Sequence, residues 1–536
     1  MKKNIQLKNL LLSILSGLLL AFAWPTYGFV GFIFVAFVPL LFVVNNLIES
    51  KTTSPYWKLL GFSYVSFFLW NFISTSWLYF ASGFGMAFAV LVNSLLMSLV
   101  VLLYLMVSKR SPWLAGSTFF IAIWLCFEYL HLHWEFSWPW LNLGNVFASN
   151  TNLIQWYEYT GSFGGSLWVL LANFIAFRSL LLFKKFKEKT LLISGSIQFG
   201  LVVLLPIIIS VFISLNLPNA KTEVAIVVAQ PNIDPYTEKY FTNDSQIADL
   251  IEELTENLID ETTDLLLLPE TVFAGGTRFS QYSMSKAHQF SQKMLLKYPN
   301  ISVLGGISAY EIIEKEDTHH QSNFHPRGFW YNDYNATFFE RKDVQPSFYY
   351  KSKLVVGVEN FPYQSFFRPL LGDVMLDMGG TVAMKTTQKT RDNFESNAAI
   401  NYAPIICYES VYGEFVTGYV QNGADVLCIM TNDAWWDETQ GHKQHWEYAK
   451  LRAIETRKTI ARSANTGISG FIDVSGKEFS KTAYNEATAQ KTSLPIYEKQ
   501  TFYVKHGDYI ARVAQFLAIF IFLFSVIKHK KMGVKR

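Results

Sequence analysis

Leu265-Leu266-Leu267-Leu268-Pro269-Glu270 places four consecutive leucines directly before a proline and a carboxylate. So short an apolar run, closed by a helix breaker, reads as a strand buried on both faces, the kind found inside a largely parallel sheet. Comparable runs recur at Val224–Ala229, Ile301–Ile307, Ala398–Cys407 and Asp425–Met430. Between them lie amphipathic stretches at Ser245–Ile259, Tyr282–Leu296 and Trp446–Ala461. The alternation predicts an α/β domain whose helices cover a buried sheet. Glu311–Gly328, rich in charge and histidine, reads as an exposed loop, and no repeat or low-complexity segment interrupts the pattern.

Outward from this domain the composition changes. Hydrophobic residues make up 51% of the 536 and aromatics 16%, more than an all-soluble chain of this size carries. Seven apolar stretches of spanning length precede the domain, at Leu7–Trp24, Phe29–Ile48, Leu59–Tyr79, Met86–Val107, Trp113–Leu130, Phe163–Phe183 and Leu191–Leu215. An eighth, Tyr509–Ile527, follows it. The expected organisation is therefore a seven-helix membrane domain over 1–217, a soluble domain over 218–508, and a last helix with a basic tail over 509–536.

Lysine and arginine set the orientation. They cluster at Lys2, Lys3 and Lys8, at Lys51 and Lys58, at Lys109 and Arg110, at Lys184 to Lys189, and after Lys528, while the alternate connections Pro25–Gly28, Phe80–Gly85 and His131–Ser162 contain none. Cytoplasmic loops retain positive charge, so both termini are expected in the cytoplasm and the soluble domain on the far side. The first apolar run, with its basic start and Ala21-Phe22-Ala23, has a second reading as a cleaved signal peptide, which would leave the rest of the topology unchanged. A net charge of +3 provides no general basic field for nucleic acid.

Three polar residues stand where buried strands end, the usual position of reactive groups in α/β sheets. They are Glu270, Lys351 in Tyr349-Tyr350-Lys351-Ser352, and Cys407 in Pro404-Ile405-Ile406-Cys407. Singly, each has an ordinary explanation: a helix cap, a solvated charge, a core thiol. Three cysteines make no disulfide framework, and Cys126 falls in an apolar run, leaving Cys407 and Cys428 in the soluble domain. Cys428, inside Val426-Leu427-Cys428-Ile429-Met430, reads as core. His442 and His445 have metal-ligand spacing but no acidic or thiol third ligand beside them in the sequence, so no metal or cofactor is expected. Glu128, inside an apolar span, is costly in lipid and points to a partner in the bundle or to an interfacial position.

In combination these residues resemble the nitrilase, or carbon-nitrogen hydrolase, superfamily, whose order is Glu, Lys, Cys and whose fold is an αββα sandwich. More narrowly, the whole chain is similar to the apolipoprotein N-acyltransferase family, in which such a domain is carried on about eight membrane helices. The resemblance runs through Val228-Ala229-Gln230-Pro231-Asn232, Leu268-Pro269-Glu270-Thr271, Tyr350-Lys351 with Glu359, Cys407-Tyr408-Glu409, Thr431-Asn432-Asp433-Ala434-Trp435, Arg452-Ala453-Ile454-Glu455 and Arg462-Ser463-Ala464-Asn465, and through Trp138-Pro139-Trp140 to Gly144. This chain departs from the family at Val355-Val356-Gly357-Val358, where Val-Pro-Phe-Gly is usual, at Lys239-Tyr240, where Lys-Trp is common, and at Trp436-Asp437, where Phe-Gly is usual.

The resemblance implies an acyltransferase of the bacterial inner membrane with a periplasmic catalytic domain. Its donor would be a phospholipid, and its acceptor the α-amino group of the N-terminal diacylglyceryl-cysteine of an apolipoprotein. Acyl transfer then assigns Cys407 as nucleophile, Glu270 as its base, and Lys351 as the charge facing the oxyanion. Glu359 would orient Lys351, with Tyr408 and Glu409 in supporting positions. The apolar stretch Phe361–Leu371 is expected either to dip towards lipid or to pack in the core. Two alternatives use the same chain differently: a membrane-tethered amidase or lipid hydrolase with the same triad, and a noncatalytic lipoprotein-binding scaffold. A transporter is disfavoured, because the spans carry few ionisable groups and no paired breaks.

Overall fold

Leu265–Leu267 forms a strand in which every side chain is fully buried. In the computed structural model, which describes residues 2–49, 54–234, 243–366 and 383–533, it lies inside an eight-stranded sheet. The members are β1 (Thr222–Gln230), β2 (Leu265–Leu267), β3 (Phe273–Arg278), β4 (Ser302–Ile313), β5 (Asn323–His325), β6 (Phe329–Arg341), β7 (Ser347–Tyr350) and β14 (Thr488–Ile496). Their order is β14-β1-β2-β4-β6-β5, with β3 also on β4 and β7 on β6. A six-stranded sheet holds β8 (Phe394–Glu395), β9 (Asn401–Ile406), β10 (Val426–Thr431), β11 (Thr459–Ala464), β12 (Gly470–Ile472) and β13 (Glu478–Lys481), ordered β13-β12-β11-β10-β9-β8.

The inner strands β1, β2 and β4 pair in parallel, as do β9, β10 and β11, so helices must return the chain between them. Asp244–Thr255 and Lys286–Lys297 cover the first sheet, burying Ile247, Ile251, Phe290 and Met294 in one core with Leu266, Leu268 and Val303. Each such side chain contributes about 1.5–3 kcal/mol on leaving water. Gly413–Gln421 and Gln440–Thr456 make the corresponding returns in the second sheet. The sheets face one another: Ser463 Oγ donates to the Ala229 carbonyl at 2.7 Å, and Asn465 Nδ2 to that of Ile233 at 2.7 Å. The expected αββα sandwich is present.

Local boundaries differ from expectation where tertiary contacts override periodicity. The helix expected at Trp446–Ala461 starts earlier, at Gln440, and stops at Thr456, because Arg457 takes a left-handed φ of +52° and Thr459–Ala464 joins the sheet as β11. Glu311–Gly328 is the tip of the long β4–β6 hairpin, and it carries the short strand β5. In the expected Tyr282–Leu296 helix, Ser285 accepts a hydrogen bond from the His288 amide at 3.2 Å and starts the α-helix only at Lys286.

The chain divides into two units, Met1–Tyr79 with Gly83–Asn216 and His506–Arg536, and Phe80–Ser82 with Leu217–Lys505. In the first, seven helices among the described residues are long and apolar enough to cross a membrane. The remaining expected span forms as the helix Pro55–Thr75, whose apolar character is diluted by Lys58, Asn71 and several buried hydroxyls. Close packing here uses small and polar residues: a Cβ at Gly17 would lie 2.4 Å from the Ser66 carbonyl, and Ser66 Oγ donates to the Ser13 carbonyl at 2.8 Å. Glu128 has the partners it requires, the Trp124 indole at 3.0 Å and the Leu143 amide at 2.7 Å. Along Lys189–Leu215, Ile193, Ile197, Leu201, Leu204, Ile208 and Phe212 stand exposed, as a lipid-facing helix requires. This is a membrane protein.

Candidate active site

Glu270 is aimed by the turn that ends the leucine strand. Thr271 has a φ of +43°, and the turn lies flat on Gly306 of β4, whose amide donates to the Pro269 carbonyl at 3.1 Å. A Cβ at Gly306 would sit 2.2 Å from the Thr271 nitrogen, so only glycine permits this approach. Lys351 follows β7, its amide donating to the Asn335 carbonyl of β6 at 2.9 Å. Cys407 follows β9 and opens a 3-10 turn, Cys407–Val411, with a φ of +48°.

These three strand ends converge. Lys351 Nζ donates to Glu270 Oε1 at 2.9 Å and lies 3.0 Å from Glu359. Asn335 Nδ2 donates to both carboxylates, at 2.7 Å to Glu270 and 2.9 Å to Glu359, while its Oδ1 is buried with no hydrogen-bond partner among the described residues. Glu359 also accepts from the Val355 amide at 2.9 Å. Lys351 is 1% exposed, Glu270 6% and Cys407 7%.

The electrostatics follow from that burial. Desolvation opposes the Lys351 charge, but the Glu270 and Glu359 carboxylates prevail and hold its pKa above the ordinary lysine value. Burial likewise opposes the charge on Glu359, and the Lys351 ammonium overcomes it, holding that carboxyl below its usual value. The Cys407 thiol is pushed well up, first by burial and then by the Glu270 carboxylate, with Lys351 pulling the other way. A thiol in this setting is protonated at rest, and a thiolate forms only as a base removes its proton.

Of the expected supporting residues, Glu409 is fully buried and accepts from the Tyr349 hydroxyl at 2.7 Å, the Ser352 amide at 2.6 Å and the Ile406 amide at 2.8 Å. Burial pushes its carboxyl up to about 7. Tyr408 is buried edge-on to Tyr412, with ring centroids 5.2 Å apart. Cys428 is core, fully buried in β10. Lys239-Tyr240 and the 367–371 end of the Phe361–Leu371 stretch lie outside the described residues.

Sequence reasoning assigned no role to Asn335, whose only mark is a lone amide in the aromatic run Tyr334–Phe339. It also left His445 without partners. In the fold the Cys407 sulfur, an Asp433 oxygen and a His445 nitrogen lie within 4.8 Å of one another, a donor set of metal-binding type. Arg462 already presents its guanidinium to Asp433 at 2.6 Å, so a cation is in place there. His442 is not part of that donor set, and its ring lies 4.3 Å from that of Tyr484.

A buried thiol near a glutamate and a lysine, each just past the end of a strand in an αββα sandwich, defines a class, and residues 223–494 match the carbon-nitrogen hydrolase family model. The chain belongs to that family. In the membrane half, residues 16–175 match the apolipoprotein N-acyltransferase N-terminal domain. A relative named apolipoprotein N-acyltransferase, from Chlorobaculum tepidum, is 27% identical over 98% of this chain and 97% of its own length. Two others of that name, from Thermotoga maritima and Geobacter metallireducens, are each 24% identical, over 99% and 94% of this chain and 97% and 92% of their own lengths.

Proposed function

We propose that this enzyme transfers an acyl chain from a phospholipid, through a thioester on Cys407, to the α-amino group of the N-terminal diacylglyceryl-cysteine of an apolipoprotein. The observation that carries this reading is the meeting of Glu270, Lys351 and Cys407 in one buried site, in a chain whose membrane half matches the N-acyltransferase domain model.

Glu270 takes the thiol proton as the sulfur attacks the ester carbonyl carbon. Lys351 faces the developing oxyanion, where a fixed charge in a water-poor site is worth far more than in solution. The carbon-oxygen bond then breaks, and Glu270 returns its proton to the leaving alkoxide of the lysophospholipid. In the second half, the acceptor amine attacks the thioester and gives its proton to Glu270. The carbon-sulfur bond breaks, and that proton restores the thiol. Glu359 and Asn335 hold Lys351 and Glu270 in register throughout.

The lysine and arginine distribution supports cytoplasmic termini with the catalytic domain on the far side of the membrane, and the likeness to apolipoprotein N-acyltransferases supports a bacterial inner membrane with that domain periplasmic. Placement in the bilayer would concentrate both lipid substrates at the site. Intact mass of the full-length protein after incubation with a defined phospholipid tests the reading, with Cys407→Ala beside wild type. A hydroxylamine-sensitive acyl adduct in wild type alone, discharged by a diacylated lipopeptide amine, is the expected result. Equal discharge by water without the lipopeptide would make the protein a hydrolase, and absence of any adduct would overturn the covalent mechanism.

A further inference from the structure

The nucleophile's backbone is held from a side that the Glu270–Lys351 chemistry does not use. Cys407 has a φ of +48°, which its Cβ disfavours, so neighbouring groups must impose the bend. Two groups converge on its carbonyl. Ser410 Oγ donates to it at 2.7 Å, and His445 Nε2 lies 3.3 Å from it and 3.1 Å from Ser410 Oγ.

The imidazole is itself fixed from its other edge. His445 Nδ1 is 2.9 Å from Asp433 Oδ1, while Asp433 is gripped by Arg462 at 2.6 Å and by the Thr431 hydroxyl at 2.8 Å. Asp433, His445 and Arg462 are all 0% exposed, and the Trp436 ring closes on His445 at 5.4 Å. Arg462 Nη2, which can only donate, also lies 3.1 Å from Nδ1, so Nδ1 accepts and the ring proton sits on Nε2, which donates to the Cys407 carbonyl. Burying charged groups is unfavourable unless they are paired, and here the Asp433 carboxylate carries the charge of Arg462 at 2.6 Å.

We infer that His445, oriented by Asp433 and Arg462, is a positioning residue that, with Ser410, fixes the Cys407–Tyr408 peptide and thereby aims the thiol at the reacting carbonyl. This rests on the reading of Cys407 as nucleophile given above.

Two substitutions separate this role from core filling. His445→Asn retains an amide able to pair with Asp433 and Arg462 but falls short of the Cys407 carbonyl, whereas His445→Gln can place its amide nitrogen near the lost Nε2. In single-turnover thioester formation by the full-length protein on phospholipid, His445→Asn should lower the rate constant about 100-fold, as a small misplacement of a reacting group does, with half-saturation unchanged and His445→Gln within about fivefold of wild type. Ser410→Ala, which removes the other hydrogen bond to the same carbonyl, should lose about tenfold with the same signature. Equal rates in the Asn and Gln variants, an unaffected Ser410→Ala, or a loss confined to half-saturation would overturn the inference.

If His445→Asn does not fold, Ser410→Ala decides. If wild type forms no thioester, the functional reading falls, and the pH profile of Cys407 alkylation by iodoacetamide decides this inference instead: displaced in His445→Asn and restored in His445→Gln, or the same in both.

Discussion

Glu409 Oε1 accepts the Ser352 amide at 2.6 Å, tying the residue after Lys351 to the turn that carries Cys407. Its other oxygen accepts from the Ile406 amide, immediately before Cys407, at 2.8 Å. One carboxylate thus fixes the spacing between two strand ends that contribute to the site. Glu409→Gln must turn an NH2 towards one of these amides, donor against donor, so a loss of about 100-fold in thioester formation is expected together with reduced stability. The sign of the pH effect follows from a folded-state value near 7, above the unfolded one. Between the two values the native protein binds more protons than the unfolded chain, so the stabilisation is full below the unfolded value and is lost as pH rises through about 7. Thermal unfolding should therefore show wild type exceeding Glu409→Gln by more at pH 5 than at pH 8, and a larger gap at pH 8 would refute this.

The thiol gives a second pH signature. Because burial and Glu270 push Cys407 above its ordinary value, alkylation at this residue, followed by peptide mass spectrometry, should still be rising with pH through the alkaline range. Glu270→Gln removes the repelling carboxylate and leaves Lys351, so the profile should move to lower pH even though acyl transfer falls by about 100-fold or more. A profile that stays in place, or moves upward, would show that Glu270 does not act on the thiol.

Much of the candidate site was legible because Glu270, Lys351 and Cys407 follow short strands, which announce themselves locally. The leucine run, Pro404–Ile406 and the order Glu270, Lys351, Cys407 needed no tertiary information. Asn335 and the Asp433–His445 pair did need it. Asn335 acts across the strand ends that bring Glu270 and Glu359 together, 65 residues before it and 24 after. His445 meets a carbonyl 38 residues away. Sequence spacing on a single helix suggested a pairing with His442, but the fold supplied other partners. Helix ends were misread for a related reason: Thr459–Ala464 continues an amphipathic pattern, yet the parallel pairing with β10 claims it as a strand.

Gly306 offers a test of how Glu270 is aimed. The Cβ of Gly306→Ala would meet the Thr271 nitrogen at 2.2 Å and the Pro269 carbonyl oxygen at 2.6 Å, both backbone atoms that cannot swing aside. The turn must shift by several tenths of an ångström or more, taking Glu270 with it. The expected outcome is a fall of about 100-fold in thioester formation, accompanied by a lower unfolding temperature. Normal rates in the variant would show that the turn tolerates displacement.

Asp437 stands where glycine is usual in the family, and its backbone shows why. Its φ of 53° and ψ of −174° fall in a region that glycine occupies freely and other residues only under strain. The carbonyl is fixed by the Thr439 amide at 2.7 Å, so the strain cannot relax by rotating that peptide. The side chain offers little in return: it is exposed, and among the described residues it accepts one hydrogen bond, from the adjacent Glu438 amide at 2.7 Å. Asp437→Gly relieves the backbone while adding entropy to the unfolded chain, and the strain is the larger effect. A net stabilisation of about 1 kcal/mol is expected, read as a raised unfolding midpoint of the purified protein. A lower midpoint would mean that the Asp437 side chain contributes more to this turn than its local hydrogen bond suggests.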